Sequence, residues 1–333
     1  MPEIRQNMVT RDWVIIATER AKRPDEYFQK GKKTTTQLLP PYDEKCPFCP
    51  GNEEMDLEVD RMPTSGPWQT RAVLNRFPAL SSHGPVLRMM DGVTRKISGV
   101  GHHEVLVEHP IHNTTPALMT LSQMEMVFRM FYNRGWDICK DPRIEQIIYF
   151  RNHGERAGAS LKHPHSQIIG LPVVSNNIRR RIDEMRRFFD DNGRCVICTM
   201  LELELEAGAR IVTTSKHFIA LVLYAAASPF HIWIIPRQHS VSFLYSSPEE
   251  IADMAFIIRD ILRRLYIGLN DPDYNFIIRT APVKELSNDY LHWYVTLVPR
   301  LSRTAGFELG SGMYINPALP EDSAEFLRQV RIT

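Results

Sequence analysis

A short run near the middle of the chain carries the residue types of a phosphoryl-transfer site. Residues 158–167 read Gly-Ala-Ser-Leu-Lys-His-Pro-His-Ser-Gln. Alternation along a strand would place His163, His165 and Gln167 on one face. A neutral imidazole is a good nucleophile at phosphorus near neutral pH when its second ring nitrogen donates to a fixed acceptor. The motif therefore predicts His165 as a nucleophile.

Three neighbours of His165 are suited to hold phosphate oxygens. Gln167 offers an amide without adding a titrating group, and Ser160 offers a hydroxyl and a backbone N–H. Gly158 permits close approach of the backbone. A His-x-His motif alone is usually structural, but the residues on both sides of this one favour catalysis.

Four of the five cysteines form two Cys-x-x-Cys pairs, and each pair has two histidines at matching positions further along the chain. The first set is Cys46, Cys49, His112 and His163, and the second is Cys195, Cys198, His239 and His292. Zinc favours a tetrahedral shell of thiolate and imidazole, and four protein ligands make a closed structural site. Two matched sets favour two structural Zn²⁺ ions over buried free thiols with core histidines. The fifth cysteine, Cys139, has no predicted role.

The surroundings of the two sets repeat along the chain. The histidines recur after 127 and 129 residues, and a helical pattern follows His112 and His239 alike, over 121–136 and 248–266. Two copies of a β-β-α-β-β unit predict an α+β protein with mainly antiparallel sheets. The cysteines recur after 149 residues, which predicts an insertion in the first half, around 53–66.

Composition argues against several classes of protein. The 333 residues are 43% hydrophobic and carry a formal net charge of +1, so no strong field points to nucleic acid or to an anionic membrane. The apolar stretch 217–235 predicts two buried strands rather than a membrane helix. The basic run 178–187 predicts an amphipathic helix with a solvated face. We expect a cytoplasmic protein.

These motifs resemble the galactose-1-phosphate uridylyltransferase family of the histidine-triad superfamily. The resemblance extends from Arg-Asp-Trp-Val at 11–14 to the Gly-Phe-Glu-Leu-Gly-Ser-Gly segment at 306–312, and His-Pro-His-x-Gln after Gly-x-Ser is specific to the family. It implies two tandem histidine-triad-like units with flanking helices, a catalytic one over 1–175 and a degenerate one over 176–333. It further implies double displacement. A nucleotide sugar donates its nucleoside monophosphate to His165, and a phosphorylated acceptor then takes it.

The resemblance also implies substrate contacts outside the motif. Family positions near the phosphates match Arg20 and Arg23, and the metal knuckle that touches the base matches Phe48. Nucleotide contacts match Asn75 and Asn152. The expected substrate-binding set is Arg20, Arg23, Phe48, Asn75, Asn152, Gly158, Ser160, Gln167 and Phe307. A homodimer is implied as well.

Two substitutions within the repeated frame bear on activity. The hydrolases of the superfamily have a third histidine where this chain has Gln167, and an amide cannot protonate a leaving group, which favours transfer over hydrolysis. In the second half Tyr294 occupies the position of the nucleophile. The C-terminal half is therefore predicted to be a chemically silent copy.

The leading prediction is a UDP-glucose:hexose-1-phosphate (galactose-1-phosphate) uridylyltransferase acting through a nucleotidyl-His165 intermediate. The alternative is an ADP-glucose phosphorylase, because the segment 306–317 resembles both the short uridylyltransferases and the plant phosphorylase. The expected small-molecule partners are thus UDP-glucose or ADP-glucose and a sugar 1-phosphate. A non-catalytic zinc- or nucleotide-binding protein is a third hypothesis.

Overall fold

The computed structural model describes residues 1–18 and 35–332. Its strands are β1 Glu3–Gln6, β2 Trp13–Ile16, β3 Glu58–Met62, β4 Thr70–Leu74, β5 Arg88–Asp91, β6 Thr94–Ile97, β7 His102–Val107, β8 Gln146–His153, β9 His165–Leu171, β10 Ile211–Thr214, β11 Phe218–Val222, β12 Ile232–Pro236, β13 Tyr274–Arg279, β14 Tyr294–Pro299 and β15 Tyr314–Asn316. Its helices are α1 Thr35–Leu38, α2 Leu121–Cys139, α3 Asn176–Asn192, α4 Val196–Ala207, α5 Pro248–Leu269, α6 Gly306–Ser311 and α7 Pro320–Gln329. The prediction of an α+β fold with mainly antiparallel sheets is confirmed.

One large antiparallel sheet runs through both halves of the chain. In the described residues its order is β10-β11-β12-β14-β13-β8-β9-β7-β4-β3. The two halves meet where β13 pairs with β8, with Ile277 opposite Phe150. A smaller sheet, β1-β2-β15, joins the N-terminal segment to the C-terminal one. The continuous sheet makes the position of each half dependent on the other.

The sheet order confirms the internal duplication. Reading outward from the central seam, β8, β9, β7, β4 and β3 correspond to β13, β14, β12, β11 and β10. Helix α2 follows β7 as α5 follows β12, and the two helices pack against each other on one face of the sheet. The expected β-β-α-β-β unit was one strand short, because each half has three strands before its helix. The division at residues 175 and 176 stays a prediction.

The insertion in the first half lies elsewhere than predicted. Residues 53–66 include β3, which has a counterpart, β10, in the second half. Between β4 and β7 there are 27 residues, 75–101, whereas nine residues, 223–231, separate β11 from β12. The β5–β6 hairpin occupies part of this longer connection. The polarity of 53–66 was misleading because an edge strand exposes polar side chains.

The apolar stretch 217–235 forms the two buried strands β11 and β12, as predicted. The basic run lies on α3, whose buried residues are confined to Ile182 and Met185, so its remaining face is solvated or half-buried. Among the described helices, none combines the length and the apolar composition needed to cross a membrane.

Both long helices begin at a capping box. Thr120 accepts from the backbone N–H of Gln123 at the start of α2, and Ser247 accepts from that of Glu250 at the start of α5. In each case the side chain of the residue three positions later accepts a hydrogen bond from the backbone N–H of the cap residue. Two backbone donors are thus satisfied at the start of each helix. The apolar faces of α2 and α5 then bury one continuous core against the sheet.

Gly135 in the middle of α2 is required by the packing of Tyr149. A Cβ at Gly135 would clash with the Tyr149 hydroxyl and lie 2.9 Å from Leu244 Cδ2. The buried Tyr149 hydroxyl has no hydrogen-bond partner among the described residues. Glycine has a lower helix propensity than alanine, but at this position it leaves room for the ring of Tyr149 to pack against the helix.

We expect Gly135→Ala to lower the free energy of unfolding by about 1–3 kcal/mol, because it overpacks the core, although alanine is the better helix former. Adding Tyr149→Phe should restore most of the loss, since it removes the clashing oxygen. Denaturant unfolding of the single and double variants measures both effects. Gly310→Ala, with no atom within 4 Å of its added Cβ, is the matched control. Equal stability of Gly135→Ala and the wild type would contradict this packing argument.

Candidate active site and metal clusters

A cavity of about 420 Å³ lies over the N-terminal half of the large sheet and collects five residues that the sequence singled out. These are Phe48, Asn75, Ser160, His165 and Gln167. They come from the cysteine turn, the end of β4, the loop before β9 and β9 itself. Four separate segments of the chain thus meet at one concave surface of a size that suits a small molecule.

The remaining predicted substrate contacts have different positions. Asn152 on β8 adjoins Gly158, whose φ of +88° is in the left-handed region. Phe307 is 45% exposed on α6 in the C-terminal half and does not line this cavity. Arg20 and Arg23 lie outside the described residues. The substrate-binding roles of all these residues stay predictions.

His165 is held in one tautomer. Its ring is only 7% exposed, and Nδ1 lies 2.8 Å from the backbone carbonyl oxygen of His163. A carbonyl oxygen can only accept, so Nδ1 carries the proton and Nε2 keeps its lone pair. Burial also lowers the pKa of His165, which favours the neutral ring. The geometry leaves a neutral, fixed imidazole at the cavity wall, as a nucleophile requires.

Gln167 is oriented by a residue that the sequence reasoning missed. The backbone N–H of Ala79 donates to His103 Nδ1 at 3.1 Å, so the His103 proton is on Nε2. That Nε2 donates to Gln167 Oε1 at 2.8 Å, and it also lies 3.1 Å from Asn75 Nδ2. The amide oxygen is thereby used, and the NH₂ group of Gln167 is left to donate. His103 gave no signal in the sequence, because its partner is 64 residues away on another strand.

A buried ion pair supports the strand of His165 from the opposite face. Arg151 pairs with Glu108, and both side chains are almost inaccessible. Arg151 Nη1 also donates to the backbone carbonyl of His165 at 3.1 Å, and Ser166 donates to Glu108. Neither charged residue stood out in the sequence. Together they fix the backbone on both sides of the His165 side chain.

The histidine ligand positions differ slightly from the predicted ones. β9 begins at His165 and β14 at Tyr294, so His163 lies two residues before the strand on which it was expected to alternate with His165, and His292 lies two residues before β14. Pro164 follows His163 and has no N–H to donate to a neighbouring strand. Its carbonyl instead accepts from Glu108 N at 3.0 Å. His163 is thus free to turn its ring toward the cysteine pair.

The first cysteine and histidine set converges on one point. The ligand atoms of Cys46, Cys49, His112 and His163 all lie within 4.8 Å of one another, and all four residues are buried. Cys49 Sγ lies 3.5 Å from His112 Nδ1 and 3.6 Å from His163 Nδ1. His163 Nε2 donates to the His109 carbonyl at 2.7 Å. Its Nδ1 lone pair is therefore directed at the sulfur atoms.

The second set converges in the same way. Cys198 Sγ lies 3.4 Å from His239 Nδ1 and 3.5 Å from His292 Nδ1, and Cys195 Sγ lies 3.9 Å from His292 Nδ1. This pair of cysteines is at the start of α4 rather than in an isolated turn. His292 Nε2 has no hydrogen-bond partner in the described part of the chain, unlike Nε2 of His163. His292 in the second cluster therefore lacks the kind of hydrogen bond that His163 in the first cluster makes to the His109 carbonyl.

Both clusters fit a tetrahedral metal. Zinc bonds of about 2.3 Å to sulfur and about 2.05 Å to nitrogen, at a tetrahedral angle, give a sulfur–nitrogen separation of about 3.6 Å. The observed separations fall between 3.4 and 3.9 Å. Burial raises the pKa of Cys46 to about 11 and lowers that of His163 to about 3. A cation would stabilise the thiolate and use the neutral imidazole.

Comparison with known proteins agrees with this geometry. The N-terminal domain of galactose-1-phosphate uridyl transferase matches residues 1–175, and its C-terminal domain matches residues 181–314. An ADP-glucose phosphorylase of Arabidopsis thaliana is 36% identical over 100% of this chain and 94% of its own. A galactose-1-phosphate uridylyltransferase of Thermotoga maritima is 30% identical over 100% of this chain and 99% of its own.

A solved structure extends the likeness to three dimensions. The Arabidopsis thaliana ADP-glucose phosphorylase with bound ADP-glucose superposes with a TM-score of 0.83 at 32% identity and covers 100% of both chains. The fold and the site thus define a nucleotidyltransferase. The chain belongs to the galactose-1-phosphate uridyl transferase family.

We expect the purified protein to contain two metal ions per chain, one for each cluster. Cys49→Ser and Cys198→Ser should each lose one, whereas Cys139→Ser, outside both clusters, should lose none. A chelator should strip the second cluster first, because an outer partner such as that of His163 raises metal affinity about 10–100-fold. Elemental analysis by mass spectrometry measures all four proteins. Full metal content in Cys49→Ser would contradict the assignment of the ligands.

Proposed function

We propose that this protein transfers the nucleoside monophosphate of a nucleoside diphosphate-glucose to a phosphate-bearing acceptor through a covalent intermediate on His165. The observation that carries the proposal is the His165 ring itself. Nδ1 is tied to the His163 carbonyl, and the ring lines a cavity together with Gln167 and Ser160. A non-catalytic nucleotide-binding protein would not need an imidazole fixed in the tautomer of a nucleophile.

The first step breaks the diphosphate. Nε2 of His165 attacks the α-phosphorus of the donor, a nitrogen–phosphorus bond forms, and the bond from that phosphorus to the bridging oxygen breaks. Glucose 1-phosphate leaves with the electron pair. Negative charge develops on the oxygens of the transferred phosphoryl group, where the Gln167 NH₂ and the Ser160 hydroxyl can donate to it. His103 keeps the Gln167 amide in the donating orientation.

The second step reverses the first with a different oxygen nucleophile. A phosphate oxygen of the acceptor attacks the phosphorus of nucleotidyl-His165, and the nitrogen–phosphorus bond breaks. The imidazole is restored with its Nδ1–H still donating to the His163 carbonyl, so the site is ready for another cycle. No residue has to protonate the leaving sugar phosphate, which is a weak base. This agrees with an amide rather than an imidazole at Gln167.

The proposed reaction has two candidate forms, which differ in the nucleotide of the donor and in the acceptor. We place ADP-glucose with inorganic phosphate as acceptor first, since the phosphorylase relative has the higher identity, 36% against 30%, over the whole chain. UDP-glucose with a hexose 1-phosphate, the form that the sequence favoured, remains the second candidate.

We further propose that both clusters hold structural Zn²⁺. In the first, Cys46, Cys49, His112 and His163 use all four positions, so the ion would bind no substrate. Bound zinc would supply folding energy, roughly 10–16 kcal/mol of apparent binding free energy per site. The same cluster fixes His163, whose backbone carbonyl accepts the hydrogen bond from His165 Nδ1. The homodimer and the cytoplasmic location stay predictions.

Brief exposure to the correct donor should add one nucleotidyl group to the intact protein. An adenylyl increment with ADP-glucose, or a uridylyl increment with UDP-glucose, names the nucleotide, and mass spectrometry of the intact chain measures it. His165→Ala should show no increment. His109→Ala removes a neighbouring imidazole and leaves the His165 ring in place, so it should still show the increment. No increment with either donor would leave only nucleotide binding and would overturn the proposal.

The hydrogen bond from His103 to Gln167 should appear as non-additive kinetics. We expect Gln167→Ala to slow labelling of His165 by about 100-fold, as loss of a transition-state donor does. His103→Ala should slow it by about tenfold, and the double variant should be no slower than Gln167→Ala. Stopped-flow labelling rates measure all three. His102→Ala, on the opposite face of β7 and bonded to Asp141, is the control. Fully additive effects would show that His103 does not act through Gln167.

A further inference from the structure

A second cavity, of about 470 Å³, lies in the C-terminal half. The large sheet, the start of α3 and the small β1-β2-β15 sheet enclose it. Its lining includes five arginines, namely Arg180, Arg181, Arg279, Arg300 and Arg303. The carboxylates in the lining are Asp12, already paired with Arg180 at 3.0 Å, and Glu308. The cavity therefore has a strong excess of positive charge although the chain is almost neutral.

Arg279 lies in the wall of this cavity, largely buried, and has no anion of its own among the described residues. No described residue accepts a hydrogen bond from it or forms an ion pair with it, and its Nε is inaccessible. Burial and the neighbouring Arg181 lower its pKa to about 10, so it is still protonated at neutral pH. A buried charge is costly when nothing compensates it, and proteins pair such groups almost without exception.

Two further arginines beside Arg279 have only neutral partners. Arg181 donates to the Tyr294 hydroxyl at 3.3 Å, and Arg300 donates to the side-chain oxygen of Asn275. Neither forms an ion pair with a described carboxylate. Three guanidinium groups thus face one space with donors to spare. This arrangement matches an anion with several oxygens better than a carboxylate, whose two oxygens satisfy one guanidinium fork.

The pKa of His231, which lies in the same cavity wall, reflects the positive charge of these arginines. Burial and the charges of Arg279, Arg181 and Arg300 lower the pKa of His231 to about 3. Its two ring nitrogens have no hydrogen-bond partner among the described residues. Trp233 stacks on Tyr294 with ring centroids 3.9 Å apart and supplies an apolar wall. The cavity thus combines a cationic surface with an apolar one.

We propose that this cavity is a binding site for a small phosphate-bearing molecule, with Arg279, Arg181 and Arg300 on its phosphate. The volume is within the range of small-molecule pockets and exceeds what a free phosphate fills. The site goes beyond the proposed activity, because it lies on the half of the sheet that has Tyr294 in the place of a nucleophile.

The cavity is separate from the His165 site but connected with it. Strands β13 and β8 lie between β14 and β9, and Tyr294 is level with Ile169, four residues along β9 from His165, so Tyr294 and His165 are roughly 20 Å apart. Asn275, the partner of Arg300, donates to Asn152 at 2.7 Å and to the Ala157 carbonyl at 2.9 Å. Arg300 therefore shares a hydrogen-bond partner with the loop that leads to Gly158 and Ser160.

Calorimetric titration of the full-length protein tests the site, with inorganic phosphate and glucose 1-phosphate as separate probes. Arg279→Gln should weaken the binding of the tighter probe by about tenfold or more, as loss of a charge-assisted contact does. Arg95→Gln, on the exposed β6, should bind as the wild type does. The probe that binds more tightly distinguishes a free phosphate from a phosphorylated sugar. Equal binding by Arg279→Gln and the wild type, or no binding by either, would overturn the proposal.

Thermal unfolding separates a ligand site from a structural role for Arg279. Without phosphate, Arg279→Gln should have a higher Tm than the wild type, because it removes an uncompensated buried charge. Added phosphate should raise the Tm of the wild type more than that of the variant. A lower Tm for Arg279→Gln at every phosphate concentration would mean that the arginine is structural. If the variant does not fold, Arg181→Gln carries the same expectation for phosphate binding.

The outcome is independent of the proposed activity. His165→Ala should keep the Arg279-dependent phosphate binding although it cannot be labelled. Arg279→Gln should still form nucleotidyl-His165. Failure of labelling with intact phosphate binding would remove the catalytic proposal alone, and the reverse result would remove only this one.

Discussion

The hydrogen bond between the His165 ring and the His163 carbonyl is the contact on which the site depends. His163 is fixed at three points. Its Nδ1 faces the sulfur of Cys49, its Nε2 donates to the His109 carbonyl, and its own carbonyl holds His165 Nδ1. Pro164 between the two histidines restricts the backbone further. The tautomer of His165, the proposed nucleophile, is therefore set by the same residue that completes a Cys₂His₂ cluster.

The strand that carries His165 is supported from both halves of the molecule. Arg151 on β8 donates to the His165 carbonyl and pairs with Glu108, and its Nε donates to the Tyr274 hydroxyl on β13 at 3.2 Å. Tyr274 belongs to the C-terminal half. Because the sheet is continuous through the β8–β13 seam, the second half supports the strand of His165 in the first.

The two halves keep one frame and use it differently. Each has five strands in the same order and a Cys₂His₂ cluster in the same place. In the first half the residue two positions after the metal histidine is an imidazole beside an open cavity. In the second it is Tyr294, stacked on Trp233 and hydrogen-bonded to Arg181. At this position the first half has the cavity lined by His165 and Gln167, and the second half has the cavity lined by arginines.

The sequence by itself determined the features that depend on local spacing. Cys-x-x-Cys pairs, histidines at equal offsets and the periodicity of α2 and α5 were sufficient for the duplication, the two clusters and the fold class. Strand alternation was sufficient to place His165 and Gln167 on one face of β9, whereas Ser160 reaches the same cavity from the loop before that strand.

Only the tertiary structure decided the contacts between distant strands. The His103–Gln167 hydrogen bond, the Arg151–Glu108 pair behind His165 and the Arg181–Tyr294 hydrogen bond beside Arg279 join residues 64, 43 and 113 positions apart. No local pattern marks them, because each residue by itself has the composition of an ordinary strand or helix. Strand pairing brings them together, and burial then gives each polar contact its effect.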